Sequence, residues 1–196
     1  MLPRAVYAVI AVSLLCLAAC APPARSERMV PPPTTASDFP ANSGLRDSIA
    51  LKDVGGGEET STHSNVGDKE LREALLSALR QQGLLQTDDA RARFRLNVFL
   101  VELSHPSAGF SFTVYSLVRY TLSRADTGAV LFDDVVNASY TATVGEEFIG
   151  IVRLRAANEG SIRANIAAFL ERLKALPIPT ALEEGVPITT AVAGGS

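Results

Sequence analysis

Histidine and cysteine are close to absent from this sequence: two of each occur in 196 residues. His63 and His105 have no cysteine and no second histidine at ligand spacing, so no structural zinc site is expected and both read as loop residues. Ser104 and Ser107 flank His105, yet neither stands in the glycine-framed turn of a nucleophile elbow. No catalytic set, metal site or cofactor site follows. Positive charge is not in excess either. The formal net charge is −3, which gives nucleic acid no attractive field. Nor is any apolar run long enough to cross a bilayer. The longest, Ala5 to Ala19, has fifteen residues, short of the ~20 a spanning helix requires.

Two features that are present resemble chemistry without supplying it. Gly55, Gly56 and Gly57 follow a predicted strand, but no Gly-Lys-Ser/Thr comes after them and Glu58 and Glu59 would repel phosphate. They read as a flexible loop. Asp133-Asp134 and Glu146-Glu147 are adjacent acids, and neighbours on a strand point to opposite faces. Asp133 and Asp134 therefore cannot converge on one substrate or metal, and Asp134, on the apolar side, reads as solvated or at a bulge.

The N-terminus carries a positive Arg4, then the apolar run, then small residues, the order of an export signal expected to be removed over residues 1–19. Leu17-Ala18-Ala19-Cys20 resembles the bacterial lipobox. That resemblance implies that the Cys20 sulfur carries a diacylglycerol and that the new N-terminus is acylated. Each buried methylene is worth about 0.8 kcal/mol, so several chains anchor stably where one is marginal. Cys16 lies in the removed segment, so Cys20 is the remaining cysteine, and acylation accounts for an unpaired exported thiol. Ala21 stands where an Asp would favour inner-membrane retention in enterobacteria, which leans toward an outer-membrane anchor facing the periplasm. Removing Arg4 leaves 17 basic against 21 acidic residues, a formal charge of −4.

Residues 20–43 include Pro22-Pro23 and Pro31-Pro32-Pro33 without apolar periodicity and read as the acylated cysteine with a Pro-rich linker. Such a linker would span about 25 Å when flexible and about 70 Å when extended, standing the domain off the membrane. Residues 177–196 have no period of either kind and are expected to be disordered.

The domain falls in residues 44–176. Ser48 to Val54 alternates as a first strand. Leu71, Ala74, Leu75, Ala78 and Leu79 form one helical stripe, with Asp68 placed to cap its start and Gly83 and Leu84 suited to a Schellman ending. Three strands follow, with Phe94, Leu96, Val98 and Leu100 sharing a face. So do Phe110, Phe112, Val114, Val118, Tyr120 and Leu122, and likewise Val130, Phe132, Val136, Ala138 and Tyr140. Turns at His105–Gly109 and Asp126–Gly128 join them as hairpins. Ile162, Ile166, Phe169, Leu170 and Leu173 mark a last helix stopped by Pro177. The order strand, helix, three strands, helix predicts an α+β fold of two layers, with both helices on one face of a mostly antiparallel four-stranded sheet. That order, behind a lipobox, resembles small envelope lipoproteins of the lipopolysaccharide-assembly (LptE-like) and YajG-like groups. The stretch Arg153–Glu159 leading into the last helix is the nearest local likeness.

The face away from the helices is the candidate docking surface. A first hairpin turning about Ser107 pairs Arg95 with Arg119 and Phe99 with Tyr115, and a second about Thr127 sets Arg119 beside Val135. Phe99, Val101, Leu103, Tyr115, Leu117, Leu131 and Val135 then share that face with Arg91, Arg93, Arg95 and Arg119. A face meant for water alone would be polar throughout. Phe99, Tyr115, Leu117, Arg95 and Arg119 are thus the candidate partner-binding residues. The expected function is that of a non-enzymatic accessory in envelope biogenesis or transport, tied to the membrane through lipid on Cys20 and binding an envelope protein. The competing expectation is a periplasmic lipid- or glycan-modifying enzyme, which a convergent acid, base or nucleophile set in a concave pocket would favour.

Overall fold

A computed structural model of the chain describes residues 23–33, 39–40, 43–57, 66–104, 106 and 109–178. Cys20, His63, His105, Ser107 and residues 179–196 of the tail lie outside them. The elements run α1 (Ser26–Met29), β1 (Ile49–Gly55), α2 (Asp68–Gln81), β2 (Phe94–Ser104), β3 (Phe112–Arg124), β4 (Val130–Ala142) and α3 (Gly150–Lys174). The fold is α+β, and the described residues form three helices and a four-stranded mixed sheet in the order β1-β2-β3-β4. β1 pairs parallel to β2, because α2 carries the chain back between them, and both remaining pairs are antiparallel hairpins.

The period-two pattern puts Phe94, Leu96, Val98 and Leu100 of β2 and Val118, Tyr120 and Leu122 of β3 in the core. There they meet the stripes of α2 and α3, with Leu75 and Phe169 both buried and the Phe169 ring stacked on Tyr120 at 3.9 Å. α2 ends as a Schellman motif. Gly83, at φ +66°, turns the chain so that Leu84 N–H donates to Leu79 O and Gly83 N–H to Arg80 O.

Several expectations need correction. The N-cap of α2 is Gly67, not Asp68. The Asp68 carboxylate instead accepts the Gly57 N–H at 2.6 Å, tying the glycine stretch to the helix start. That stretch is a close contact and not a free loop: Gly56 has φ +86°, and a Cβ there would lie 2.1 Å from Leu100 O. Phe110 lies before β3 and is exposed, as is Val130. Arg153–Glu159 do not lead into the last helix but lie inside it. The stretch expected to be a linker is partly core, since Ala24, Met29 and Phe39 are buried with Leu45 in the main cluster. Ile178, past Pro177, also packs there, and its carbonyl accepts the Gly44 N–H.

Candidate functional site

The outer face of the sheet carries the candidate residues, in a register different from the expected one. Arg95 faces Ser123, Phe99 faces Arg119, and Tyr115 faces Ser104. The assumed turn about Ser107 slipped the strands by four residues, a loop-length question that hydrophobic period two leaves open. Arg95 and Arg119 are consequently not opposed like charges, and Phe99 and Tyr115 are not neighbours. A bulge compounds the shift. Between Leu100 and Glu102 the register steps by one, so Leu103 turns inward against Val114 and Ala157, while Glu102 and Ser104 join the outer face. The second hairpin follows the expected register from Phe112 to Leu122, with Arg119 opposite Val135, but a bulge at its turn end sets Val130 opposite Ser123 on the outer face and leaves Leu131 as the extra residue.

Phe99 and Tyr115 are 54% and 53% exposed. Leu131 and Val135 are also open, and Leu117 is half-buried beside the bulge. Phe99, Arg119 and Val135 form one cross-strand row. The Arg119 guanidinium donates two bonds to Asp133, 2.8 Å to Oδ1 and 2.5 Å to Oδ2, and Thr121 hydroxyl donates a third at 3.0 Å. Arg119, and after it Thr121, hold the Asp133 carboxyl well below the usual carboxylate range, at about 2. Arg119 is thus already neutralised within the chain. Arg95 has no ion pair among the described residues and senses Asp89 only through space.

Where β1 bulges between Leu51 and Val54, a shallow cleft of about 310 Å³ opens, lined by Asp53, Gly55, Asn97, Phe99, Arg119 and Thr121. Gly55 leaves the Phe99 ring room to lie over the strand, 3.6 Å from where a Cβ would stand. Asn97 Oδ1 accepts the Asp53 N–H at 3.3 Å. The cleft offers an aromatic wall, an amide, a hydroxyl and a neutralised arginine, a set suited to holding a polar group against apolar surface. On the other side of β4, Asp134 pairs with Arg172 of α3, so the two adjacent acids do serve opposite faces.

Sequence reasoning missed the polar interior under α3. Asn165 is fully buried; its Nδ2 donates to Val136 O at 2.8 Å and Ser116 O at 3.1 Å, and its Oδ1 accepts the Tyr120 hydroxyl at 3.0 Å. Ser161 Oγ donates to Ser116 Oγ at 2.8 Å. Burial raises the Tyr120 hydroxyl far above its usual pKa. The available signal was Asn158, Ser161 and Asn165, three polar residues at helical spacing beside Ile162 and Ile166.

No family model matches the chain, and no curated protein matches it in sequence. Solved structures share its fold. A DUF330 protein from Xanthomonas campestris superposes with a TM-score of 0.52 at 10% identity, covering 70% of this chain and 89% of that one. A hypothetical protein from Chlamydia trachomatis gives 0.50 at 11%, covering 67% and 97%. A Caulobacter crescentus protein described as a "putative lipoprotein" gives 0.48 at 19%, covering 67% and 90%. The likeness does not single out the lipopolysaccharide-assembly or YajG-like groups. At such identities the likeness is one of fold.

Proposed function

We propose that the chain is an envelope lipoprotein, anchored through acylated Cys20 and facing the periplasm from the outer membrane. In this reading its domain is a non-enzymatic accessory that binds an envelope protein with the outer face of its sheet. The carrying observation is that Phe99, Tyr115 and Val135 stand exposed on that face among arginines, while the buried stripes of α2 and α3 join the inward residues of β2 and β3 in the core. Exposed apolar surface bordered by charge marks docking sites, and aromatic and arginine side chains dominate binding hot spots. The finer assignment to lipopolysaccharide assembly is supported by the element order behind the lipobox.

The register divides the labour among the candidates. Phe99 and Tyr115 supply two separate apolar contacts, Leu117 lies between them in the register, and Arg95 supplies a charge without an ion pair among the described residues. Arg119 shapes the cleft while held by Asp133. In cells carrying the acylated protein, Phe99→Ala with Tyr115→Ala is expected to reduce partner recovery by crosslinking through faster dissociation, and Arg95→Glu to reduce it through slower association. Thermal melting controls for folding. Wild-type recovery from both variants would remove the sheet face from the function. Cys20→Ser tests the anchor separately, by moving the folded domain to the soluble fraction.

A further inference from the structure

We infer that the domain rests directly on the lipid surface by one end, where the β2–β3 hairpin and the turn before α3 present Phe110, Phe148 and Ile149 to the acyl chains. The inference deepens the proposed anchor at Cys20 and rests on it.

The first support is reach. Ala24 is buried, and Arg25 is fastened to α3: its backbone N–H donates to Glu159 Oε1 at 2.9 Å, while its guanidinium donates to both carboxylate oxygens at 3.0 and 3.1 Å. Cys20 precedes Arg25 by five residues, and at ~3.3–3.6 Å per residue their Cα atoms cannot be more than about 18 Å apart. A domain so tethered has no room to stand off. Acyl chains committed to the bilayer bring the neighbouring protein surface to it.

The second support is direction. After Arg25 the chain runs past Glu73, whose carboxylate accepts the Ser26 hydroxyl, to Pro31, whose carbonyl accepts Gln81 Nε2 at the end of α2. Through Leu84 and Ile49 this is the end of the sheet where Phe94 pairs with Arg124. Arg25 itself, fastened to Glu159, therefore lies on the β2–β3 hairpin side of that end. Glu159 lies nine residues into α3 from Gly150, about 13 Å of helix, so the start of that helix is within the reach of Cys20.

The third support is what stands at that end. Phe110 is 89% exposed, Phe148 85% and Ile149 61%, with Ile151 and Val144 also open. They belong to two separate segments held together by one buried cation. Arg153 donates from Nη1 to Glu147 O at 2.8 Å and Phe148 O at 3.1 Å, and from Nη2 to Gly109 O at 3.4 Å. Its guanidinium carbon also lies 5.0 Å from the Phe112 ring centroid. The clamp joins the backbone of the two segments, and the exposed apolar side chains stand beside it. Aromatic and aliphatic side chains at such a position suit the boundary between headgroups and acyl chains. With this end on the bilayer, the sheet face bearing Phe99 and Tyr115 stays open to the periplasm.

The chain has no tryptophan, so Phe148→Trp and Tyr115→Trp each create a unique reporter at an exposed position. The full acylated protein would be reconstituted in phosphatidylethanolamine–phosphatidylglycerol vesicles carrying nitroxide lipids labelled at different depths. Emission from Trp at 148 is expected to shift to the blue and to be quenched by shallow acyl-chain nitroxides, while that from Trp at 115 stays at its aqueous wavelength and unquenched. Co-flotation with the vesicles without quenching at 148 would keep the anchor and overturn the docking end, as would quenching at 115 in place of 148. Failure to co-float would overturn the anchor and the inference together.

Discussion

Gly160 stands in the middle of a 25-residue helix, where glycine costs about 1 kcal/mol relative to alanine. The reason lies across the interface: a Cβ at Gly160 would fall 2.3 Å from Tyr140 Cδ1 and 2.4 Å from Cγ. That ring is held from other sides as well, by a 2.6 Å hydrogen bond from its hydroxyl to Glu146 and by the Arg163 guanidinium 5.3 Å from its centroid. Gly160→Ala is therefore expected to destabilise by about 1–3 kcal/mol through overpacking, against its gain in helix propensity. Adding Tyr140→Ala should remove most of the coupling penalty in a double-mutant cycle measured by denaturant melts. A stabilised single variant would show that the ring does not fill this space. Asn165 makes the opposite kind of demand, since its neighbours need its polarity. Asn165→Leu strands the Tyr120 hydroxyl and the Val136 carbonyl, each worth about 1–3 kcal/mol when left unpaired. Tyr120→Phe in that background is expected to recover one share, and no recovery would mean the hydroxyl finds another partner.

Among the elements, the β3–β4 pair carries a pH-dependent bond. The Asp133 carboxyl, lowered to about 2 by Arg119 and then Thr121, has an unfolded value near ~3.9. A depressed folded pKa means that its contribution is complete above the unfolded value and is lost as pH falls through 4 toward 2. The difference in Tm between wild type and Asp133→Asn should be constant above pH 5 and shrink through that acid window. A gap unchanged at pH 2 would rule out the ion pair as its source. The same pair illustrates what a sequence conceals. Helix stripes, most strand faces, the Schellman ending at Gly83 and Leu84 and the second hairpin register up to Leu122 were legible, because each follows from periodicity or from a short turn. The first hairpin was not, since a change of four residues preserves every inward face and only loop geometry selects among such registers. Leu103 was misassigned because a bulge inverts parity without a residue type that announces it. The candidate face was therefore legible as a face, while its pairing across the first hairpin was not.

At the scale of the molecule, the main revision concerns where the domain begins. Proline content made residues 20–43 read as a spacer, but proline describes backbone stiffness and is silent on what neighbouring side chains bury. Met29 and Phe39 stand among prolines and still enter the core. One turn of helix at Ser26–Met29 is too short to be stable alone, so tertiary contact with α2 and α3 holds it. The consequence is measurable in the soluble Cys20→Ser protein. Met29→Ala is expected to cost about 2–5 kcal/mol, the penalty of a large-to-small change at a fully buried site. Deleting residues 21–33 should lower Tm by at least as much, because it also removes Arg25 from the buried carboxylate of Glu159. Chemical denaturation of the variants against the parent checks both. If Met29→Ala and the deletion melt like the parent, the segment is a spacer after all, the domain is free of its anchor, and the short tether that brings Phe148 to the membrane does not exist.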